Sequence, residues 1–331
     1  MKQHVIVIFC LVFIVVAFFL FIANTPWALS LVLPSLVENS LKDVGLKTLH
    51  IQKQRFVFPD TLRLYGIKST VQQGEKKYVI QASHLVLYDI IKIWRARQQI
   101  KASAFGLNVE LNDNAIQNAD LRMILRLRGN EVQKAEGIIN KANIFYQKYL
   151  FKNTSARFIW NREKLEVFEI FTQIYGGTAY GQFTCDYFPS LSYVVWMEFA
   201  DCQPEGLLDM YPEFFSKIKG GFSGNMRIVG SQETTDLLAI EFSLKNGAIH
   251  DSLLTKVIED IADANKRTRF QALLKNAGYY PVDRALLHIG KAGNKTTATF
   301  SITNQEDNLY LKEILSTKNI GAEIDQVLLR K

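Results

Sequence analysis

Beyond Gly45, apolar and polar residues alternate with period two in one segment after another, and short polar turns separate the segments. Successive side chains of a β-strand point to opposite faces of a sheet, so this period predicts strands with one apolar face. Short turns between such segments predict antiparallel meanders. The clearest segment is 121–128, in which Leu121, Met123, Leu125 and Leu127 fall on one face and Arg122, Arg126 and Arg128 on the other.

Helical spacing appears twice in this body, at 206–217, which Pro212 interrupts, and at 251–264, with Asp251 as the predicted N-cap. Gly106 lies inside a predicted strand, where a glycine is typical of a β-bulge. The sequence therefore predicts an α+β protein that is predominantly antiparallel β, with a few short amphipathic helices.

The segment 5–23 contains 19 residues without a charge. As a helix it would span roughly 28 Å, close to the hydrocarbon thickness of a bilayer. A cleaved signal peptide is the alternative, but its apolar region is usually shorter, and Ala23-Asn24-Thr25 is a poor cleavage site. Lys2 precedes the segment and no Lys or Arg follows it until Lys42, so we expect a cytoplasmic N-terminus and an extracytoplasmic body.

Residues 27–44 carry apolar side chains at helical spacing and end at Gly45, a typical helix stop. This amphipathic helix would lie at the membrane surface or pack on the core of the body, and the sequence leaves both open. The predicted organisation is a cytoplasmic N-terminus and transmembrane anchor at 1–26, the amphipathic helix at 27–44 and a β-rich body at 45–331.

The formal net charge of +7 suits an anionic partner such as lipid headgroups, although a solvated basic surface explains it equally well. No zinc-finger spacing or RNA-binding sheet motif is present, so we expect no nucleic acid. The five histidines form no HExxH pair, and no CxxC, GxSxG or P-loop occurs. We therefore predict no enzymatic activity, metal or cofactor. A carboxylate pair for glycoside hydrolysis stays open.

Cys185 and Cys202 lie at opposite ends of a predicted hairpin. With about eight residues between them along the strands, they would be roughly 25 Å apart. A disulfide needs Cα atoms within about 7 Å, so we predict no bond between them.

Two glycine-rich motifs stand out, YGGTAYGQF at 175–183 and KGGFSGNMRIVG at 219–230. They contain Gly176, Gly177, Gly181, Gly220, Gly221, Gly224 and Gly230, and Gly247 lies at the end of the next predicted strand. The order of strand, glycine loop and helix that nucleotide binding requires is missing. We interpret these glycines as structural, supplying positive φ at turns and bulges.

The order and spacing of these motifs resemble those of the AsmA-like proteins of the bacterial envelope. In that family an N-terminal membrane helix and an amphipathic helix precede strands with an LxLxG pattern, represented here by Leu62, Leu64 and Gly66. The two glycine motifs follow, the second leading through LLAIEFSLKNGAI to the helix after His250. The resemblance covers most of the chain and is clearest over 165–261.

The resemblance implies an elongated, curved sheet that forms a β-groove lined with apolar side chains. It also implies a single-pass inner-membrane protein with a periplasmic body, which binds or conducts phospholipid or another envelope lipid in outer-membrane assembly. Besides lipid and membrane, envelope proteins are possible partners. The chain is short for this family, and at about 4.8 Å per strand it is not expected to span the envelope alone.

Ten residues are predicted to face the groove and contact lipid: Leu62, Leu64, Leu85, Leu87, Phe168, Ile170, Val195, Met197, Ile240 and Phe242. The same alternation would supply the core of a β-sandwich, and periodicity does not separate the two cases. Two other functions stay open. A scaffold would bind protein partners through a sheet edge, and a hydrolase of envelope polymers would require convergent titratable residues.

Overall fold

The computed structural model describes residues 46–57, 60–73, 76–89, 99–111, 114–128, 131–146, 149–207, 216–231, 234–259, 263–274, 278–292, 295–305 and 309–315. The predicted transmembrane anchor and amphipathic helix lie outside these residues, as does most of the predicted helix at 206–217. Within these ranges, no helix has the length and apolar character needed to cross a bilayer. The chain divides into two compact units, an N-terminal unit, Met1–Arg162, and a C-terminal unit, Glu163–Lys331.

The N-terminal unit contains a seven-stranded antiparallel meander. Its strands are β1 (Leu46–Val57), β2 (Thr61–Gln73), β3 (Lys76–Tyr88), β4 (Gln99–Leu111), β5 (Asn114–Arg128), β6 (Glu131–Tyr146) and β7 (Tyr149–Asn161). Each strand pairs with the next one along the chain, so the expected antiparallel meander is confirmed.

The C-terminal unit is also mostly antiparallel β, with two short helices. Its strands are β8 (Lys164–Ile174), β9 (Gly177–Asp186), β10 (Ser192–Cys202), β11 (Ile218–Lys219), β12 (Phe222–Ser231), β13 (Thr235–His250), β14 (Tyr279–Ala292), β15 (Lys295–Asn304) and β16 (Leu309–Leu315). The strand order is β8-β9-β10-β12-β13-β14-β15-β16, and the two-residue β11 pairs with the end of β13. A 3₁₀ turn, Pro204–Leu207, follows β10.

The helices α1 (Asp251–Glu259) and α2 (Ala264–Leu274) connect β13 to β14. Asp251 is the first residue of α1, and the Ser252 N–H donates a hydrogen bond to His250 Nδ1 at 3.2 Å, so the N-cap is His250, one residue before the predicted Asp251. Ile258 of α1 and Phe270 of α2 are buried in one cluster with Leu244, Ala285 and Ile302 of three neighbouring strands. The helix pair therefore covers one part of the sheet in this unit.

Left-handed backbone conformations recur along the meander of the N-terminal unit. Positive φ occurs at Gly66, Gly106, Asn118, Lys141 and Asn153, on β2, β4, β5, β6 and β7. The pairing of β4 with β5 shifts register between Ala104 and Leu107, which confirms the predicted bulge at Gly106. The extra residue changes the phase of alternation, so apolar positions are even-numbered before it and odd-numbered after it.

We expect Gly106→Ala to destabilise the protein by about 1–2 kcal/mol, because a side chain disfavours the left-handed conformation. Gly106 has φ +57°, and an added Cβ would contact the Ser83 side chain. The matched control is Gly290→Ala, at a strand glycine without positive φ, whose Cβ would lie 3.2 Å from Thr297 Oγ1. Urea unfolding of the full chain in an uncharged detergent measures both variants. Equal destabilisation by the two changes would contradict the bulge.

The hairpin of β9 and β10 confirms the prediction for the two cysteines. Its register runs from Asp186 opposite Ser192 to Thr178 opposite Ala200, so Cys185 lies near the turn and Cys202 beyond the far end. Both cysteines are free and buried. Burial raises the pKa of Cys202 from 9.0 to about 11, and its thiol donates a hydrogen bond to the Ile174 carbonyl, with S···O 3.7 Å.

Cys202 should resist alkylation in the native chain at pH 8. A pKa about two units above the ordinary value leaves about a hundredfold less thiolate, and burial restricts access further. Mass spectrometry of the full chain after timed exposure to iodoacetamide, with and without urea, measures this. Native alkylation of Cys202 as fast as in the unfolded chain would contradict the buried position.

Candidate functional site

Directly opposed residues of the N-terminal unit form apolar rows that run across all seven strands. Residues opposite each other in neighbouring strands lie on the same face of a sheet. One row consists of Phe56, Leu62, Leu87, Ala102, Met123, Gly137 and Phe158. The next consists of Gln54, Leu64, Leu85, Ala104, Leu121, Ile139 and Ala156. We call this side the apolar face of the N-terminal unit.

The C-terminal unit has an apolar face of the same kind. One row consists of Ile170, Gly181, Met197, Met226, Ile240, Ile289, Ala298 and Leu315. A second runs through Thr172, Ala179, Phe199, Gly224, Phe242, Leu287 and Phe300. A third runs through Val167, Phe183, Val195, Ile228 and Leu238.

Nine of the ten predicted lipid-contacting residues fall in these rows. The apolar face of the N-terminal unit carries Leu62, Leu64, Leu85 and Leu87, and that of the C-terminal unit carries Ile170, Val195, Met197, Ile240 and Phe242. The exception is Phe168, which lies in a bulge between Val167 and Ile170, next to Glu169 with φ +52°. Sequence reasoning missed further members such as Ile139, because it did not predict β6.

The large side chains of both apolar faces are mostly only partly buried. Met123, Phe158, Val195, Ile240 and Phe242 all keep some exposure to solvent. No second sheet layer packs on either face within the described residues, and the helix pair covers only the region around Leu244, Ala285 and Ile302. The described strands therefore do not form the β-sandwich that alternation alone left open.

The motif glycines divide into two groups. Gly176 and Gly220 have φ of +76° and +105°, as the turn interpretation predicts. Positive φ is absent at Gly177, Gly181, Gly224, Gly230 and Gly247, which lie within strands, so that part of the interpretation is wrong for them. Gly230 nevertheless lies at a register shift between β12 and β13, and Gly221 directly precedes β12. An added Cβ at Gly181 or Gly224 would contact a carbonyl oxygen of the neighbouring strand. These two strand glycines leave gaps in the apolar rows beside Met197 and Phe242.

The opposite face of the C-terminal unit carries charged and polar residues beside the exposed rings of Phe171 and Tyr180, and it has two open hollows. One of about 350 Å³ lies between Glu198, Asn225 and Glu241, which form one cross-strand row. The other, of about 420 Å³, lies beside His288, which is opposite Glu241. This row is the feature most compatible with the hydrolase alternative, but both hollows open widely to solvent. No cluster suited to a metal ion occurs in the part of the chain that the structure describes.

The Ile258→Ala change should destabilise the C-terminal unit by about 2–5 kcal/mol, since it leaves a cavity in the cluster between helices and sheet. Thr255→Ala, on the exposed side of α1, should change the stability by about 0.5 kcal/mol or less. Alkylation of Cys202 at increasing urea concentration reports unfolding of this unit. If the two variants unfold at the same urea concentration, the packing of α1 on the sheet is wrong.

Compared with known protein families, curated proteins and solved structures, the chain matches none. The resemblance to AsmA-like proteins therefore remains a prediction from the motifs, and the function is argued from the two apolar faces.

Proposed function

We propose that the chain is a non-enzymatic, membrane-anchored protein whose apolar sheet faces bind lipid acyl chains. The observation that carries the proposal is the series of cross-strand rows in which most residues are apolar and the large side chains stay partly exposed. Soluble proteins rarely expose large contiguous apolar patches, and such patches mark sites for partners, membranes or ligands. A lipid is the partner that matches a long, mostly apolar lining.

The dimensions and energies of the rows suit an acyl chain. Across the seven strands of the N-terminal unit, a row measures about 29 Å at about 4.8 Å per strand interval. This is about the thickness of the hydrocarbon core of a bilayer, and so about twice the depth of one leaflet. Transfer of each methylene from water to an apolar surface contributes about 0.8 kcal/mol. Contacts along a row can therefore offset much of the cost of removing a lipid from a bilayer.

The proposed cellular location of this activity is inferred from the sequence. The uncharged segment 5–23 is predicted to anchor the chain in the inner membrane, with the body in the periplasm. The AsmA-like resemblance adds outer-membrane assembly as the process and a groove as the shape of the lipid path. Phospholipid is then the first ligand to test.

A scaffold function is the second candidate, and the two outermost strands support it. In the described residues β16 pairs only with β15, and β1 only with β2. Tyr310 on β16 is 68% exposed. An unpaired strand edge is a template for adding a strand from a partner protein.

Photocrosslinking in cells that produce the full chain tests lipid binding. A benzophenone amino acid is placed at Val195 or Ile240 on the apolar face, or at the adjacent Val194 or Ala239. Adjacent residues of a strand point to opposite faces. Each control probe therefore lies on the same strand as its test probe and at nearly the same position along it. After irradiation, we expect phospholipid adducts by mass spectrometry at Val195 and Ile240, severalfold above those at Val194 and Ala239.

Val195→Gln with Ile240→Gln should lower the formation of phospholipid adducts from a probe at Met197. Val194→Gln with Ala239→Gln, on the opposite face, should leave it unchanged. Thermal unfolding of each variant checks that the sheet is intact. Equal adducts on the two faces would contradict a dedicated lipid-binding face. Protein adducts alone, on either face, would favour the scaffold.

A further inference from the structure

The face of the N-terminal unit opposite its apolar face carries a row of arginines. Register places Arg55, Arg63, Val86, Ser103, Arg122, Ile138 and Arg157 in line across β1 to β7. We call Arg55, Arg63, Arg122 and Arg157 the basic row. It extends over about 29 Å, at about 4.8 Å per strand interval. Lys53 and Lys101 lie on the same face, two residues from the row along β1 and β4.

All four arginines of the basic row are exposed to solvent. Among the described residues, Arg55, Arg63 and Arg122 take part in no ion pair. Two acids on this face, Glu136 and Asp120, are already engaged, whereas Glu110, farther along β4, is exposed. Glu136 contacts Arg126 and Lys134 at 3.3 and 2.7 Å, and Asp120 accepts a hydrogen bond from the Gly106 N–H at 3.3 Å. Arg55, Arg63 and Arg122 of the basic row therefore present positive charge to an external partner.

The arrangement is unfavourable for the sheet by itself. Arg55 and Arg63 are directly opposed in neighbouring strands, and like charges in such positions destabilise a sheet. A partner with several negative charges would remove this repulsion. Val86 and Ser103, between Arg63 and Arg122, are buried, so the exposed positive charge lies toward the two ends of the row. The matching partner is therefore broad and carries many charges.

Aromatic rings and an exposed isoleucine accompany the arginines. Tyr65, His84 and Phe105 form the adjacent cross-strand row, with ring centroids 6.1 and 4.3 Å apart. Ile138, within the basic row, is 39% exposed. Tyrosine and other amphipathic rings favour the headgroup region of a bilayer, where cationic side chains meet phosphates. Since the three rings stack on one another, they are not splayed apart to receive nucleotide bases.

We propose that this basic face docks the N-terminal unit on a bilayer surface rich in anionic phospholipid. The predicted anchor supports this partner, because β1 begins 23 residues after Ala23, the last residue of the uncharged segment. A short tether raises the effective concentration of the bilayer surface near the basic row. Docking through this face is independent of acyl binding on the opposite, apolar face.

The test uses the full chain in nanodiscs of phosphatidylcholine, mixed with phosphatidylcholine vesicles with or without phosphatidylglycerol. Flotation measures the fraction of nanodiscs bound to vesicles. We expect binding to the anionic vesicles only, and its loss at raised salt. Each basic residue near an anionic surface contributes a factor of about five, so Arg63→Glu with Arg122→Glu should weaken binding at least about 25-fold.

The matched control is Arg227→Glu with Arg284→Glu, two exposed arginines on the face of the C-terminal unit opposite its apolar face, with the same change in net charge. Binding of this control should fall by less than about threefold. Folding is not at risk in the first variant, since reversal at Arg63 places opposite charges across from each other.

Equal loss in the two variants would show that net charge alone drives binding and would overturn the proposal. Equal binding to neutral and anionic vesicles would also overturn it. Binding of a single-stranded oligonucleotide through the basic row, without binding to anionic vesicles, would replace the bilayer by nucleic acid as partner. Crosslinking of lipid at Ile240 in the same variants should persist, so failure of docking and failure of acyl binding are distinguishable.

Discussion

Antiparallel pairing in register is the interaction on which the other properties of this protein depend. It places each side chain directly beside a partner of the same kind in the next strand, so alternation along the chain becomes rows across the sheet. The apolar rows through Leu62 and Ile240 and the arginine row through Arg63 arise from this one arrangement. A slip of one residue in any strand would exchange the two faces at that strand. The bulges therefore matter, since they correct the phase of alternation within long strands.

The two faces of the N-terminal unit have different chemistry. One side carries apolar rows, which we propose contact acyl chains, and the other carries arginines and aromatic rings, which we propose contact phosphate headgroups. Both proposed interactions involve the same class of molecule, contacted through its tails on one face and its headgroups on the other. A scaffold that binds proteins through an edge strand would use neither face, which is why probes on the faces separate the two functions.

Much of the fold was predictable from the sequence because its signal is local. Alternation identified β2, β5 and the hairpin of β9 and β10, and the positions of Cys185 and Cys202 followed from that hairpin. The strand β6 was missed because small residues such as Ala135, Gly137 and Ala142 weaken its apolar period. The helix α2 was missed because Phe270 and Leu274 stand in a largely polar segment, and only the cluster with α1 stabilises it there.

The faces were harder to predict than the strands. Leu62 and Leu64 could be grouped by periodicity, but their alignment with Met123 and Leu121 is a property of register across several strands. The bulge at Phe168 and Glu169 interrupts the period, so the side of Phe168 did not follow from counting. The strand glycines were misinterpreted for a related reason. A side chain at Gly181 or Gly224 would collide with a carbonyl oxygen of the neighbouring strand, and a single sequence does not show which backbone atoms lie opposite a residue.

The meander has a consequence for how such a chain can change in length. In the N-terminal unit every strand pairs only with its neighbours in sequence, so adding or deleting one hairpin leaves all other pairings intact. Two strands would lengthen or shorten each row by about 10 Å while keeping its chemistry. The reach of the apolar and basic surfaces is then adjustable in steps, by duplication of a hairpin, without any redesign of the core.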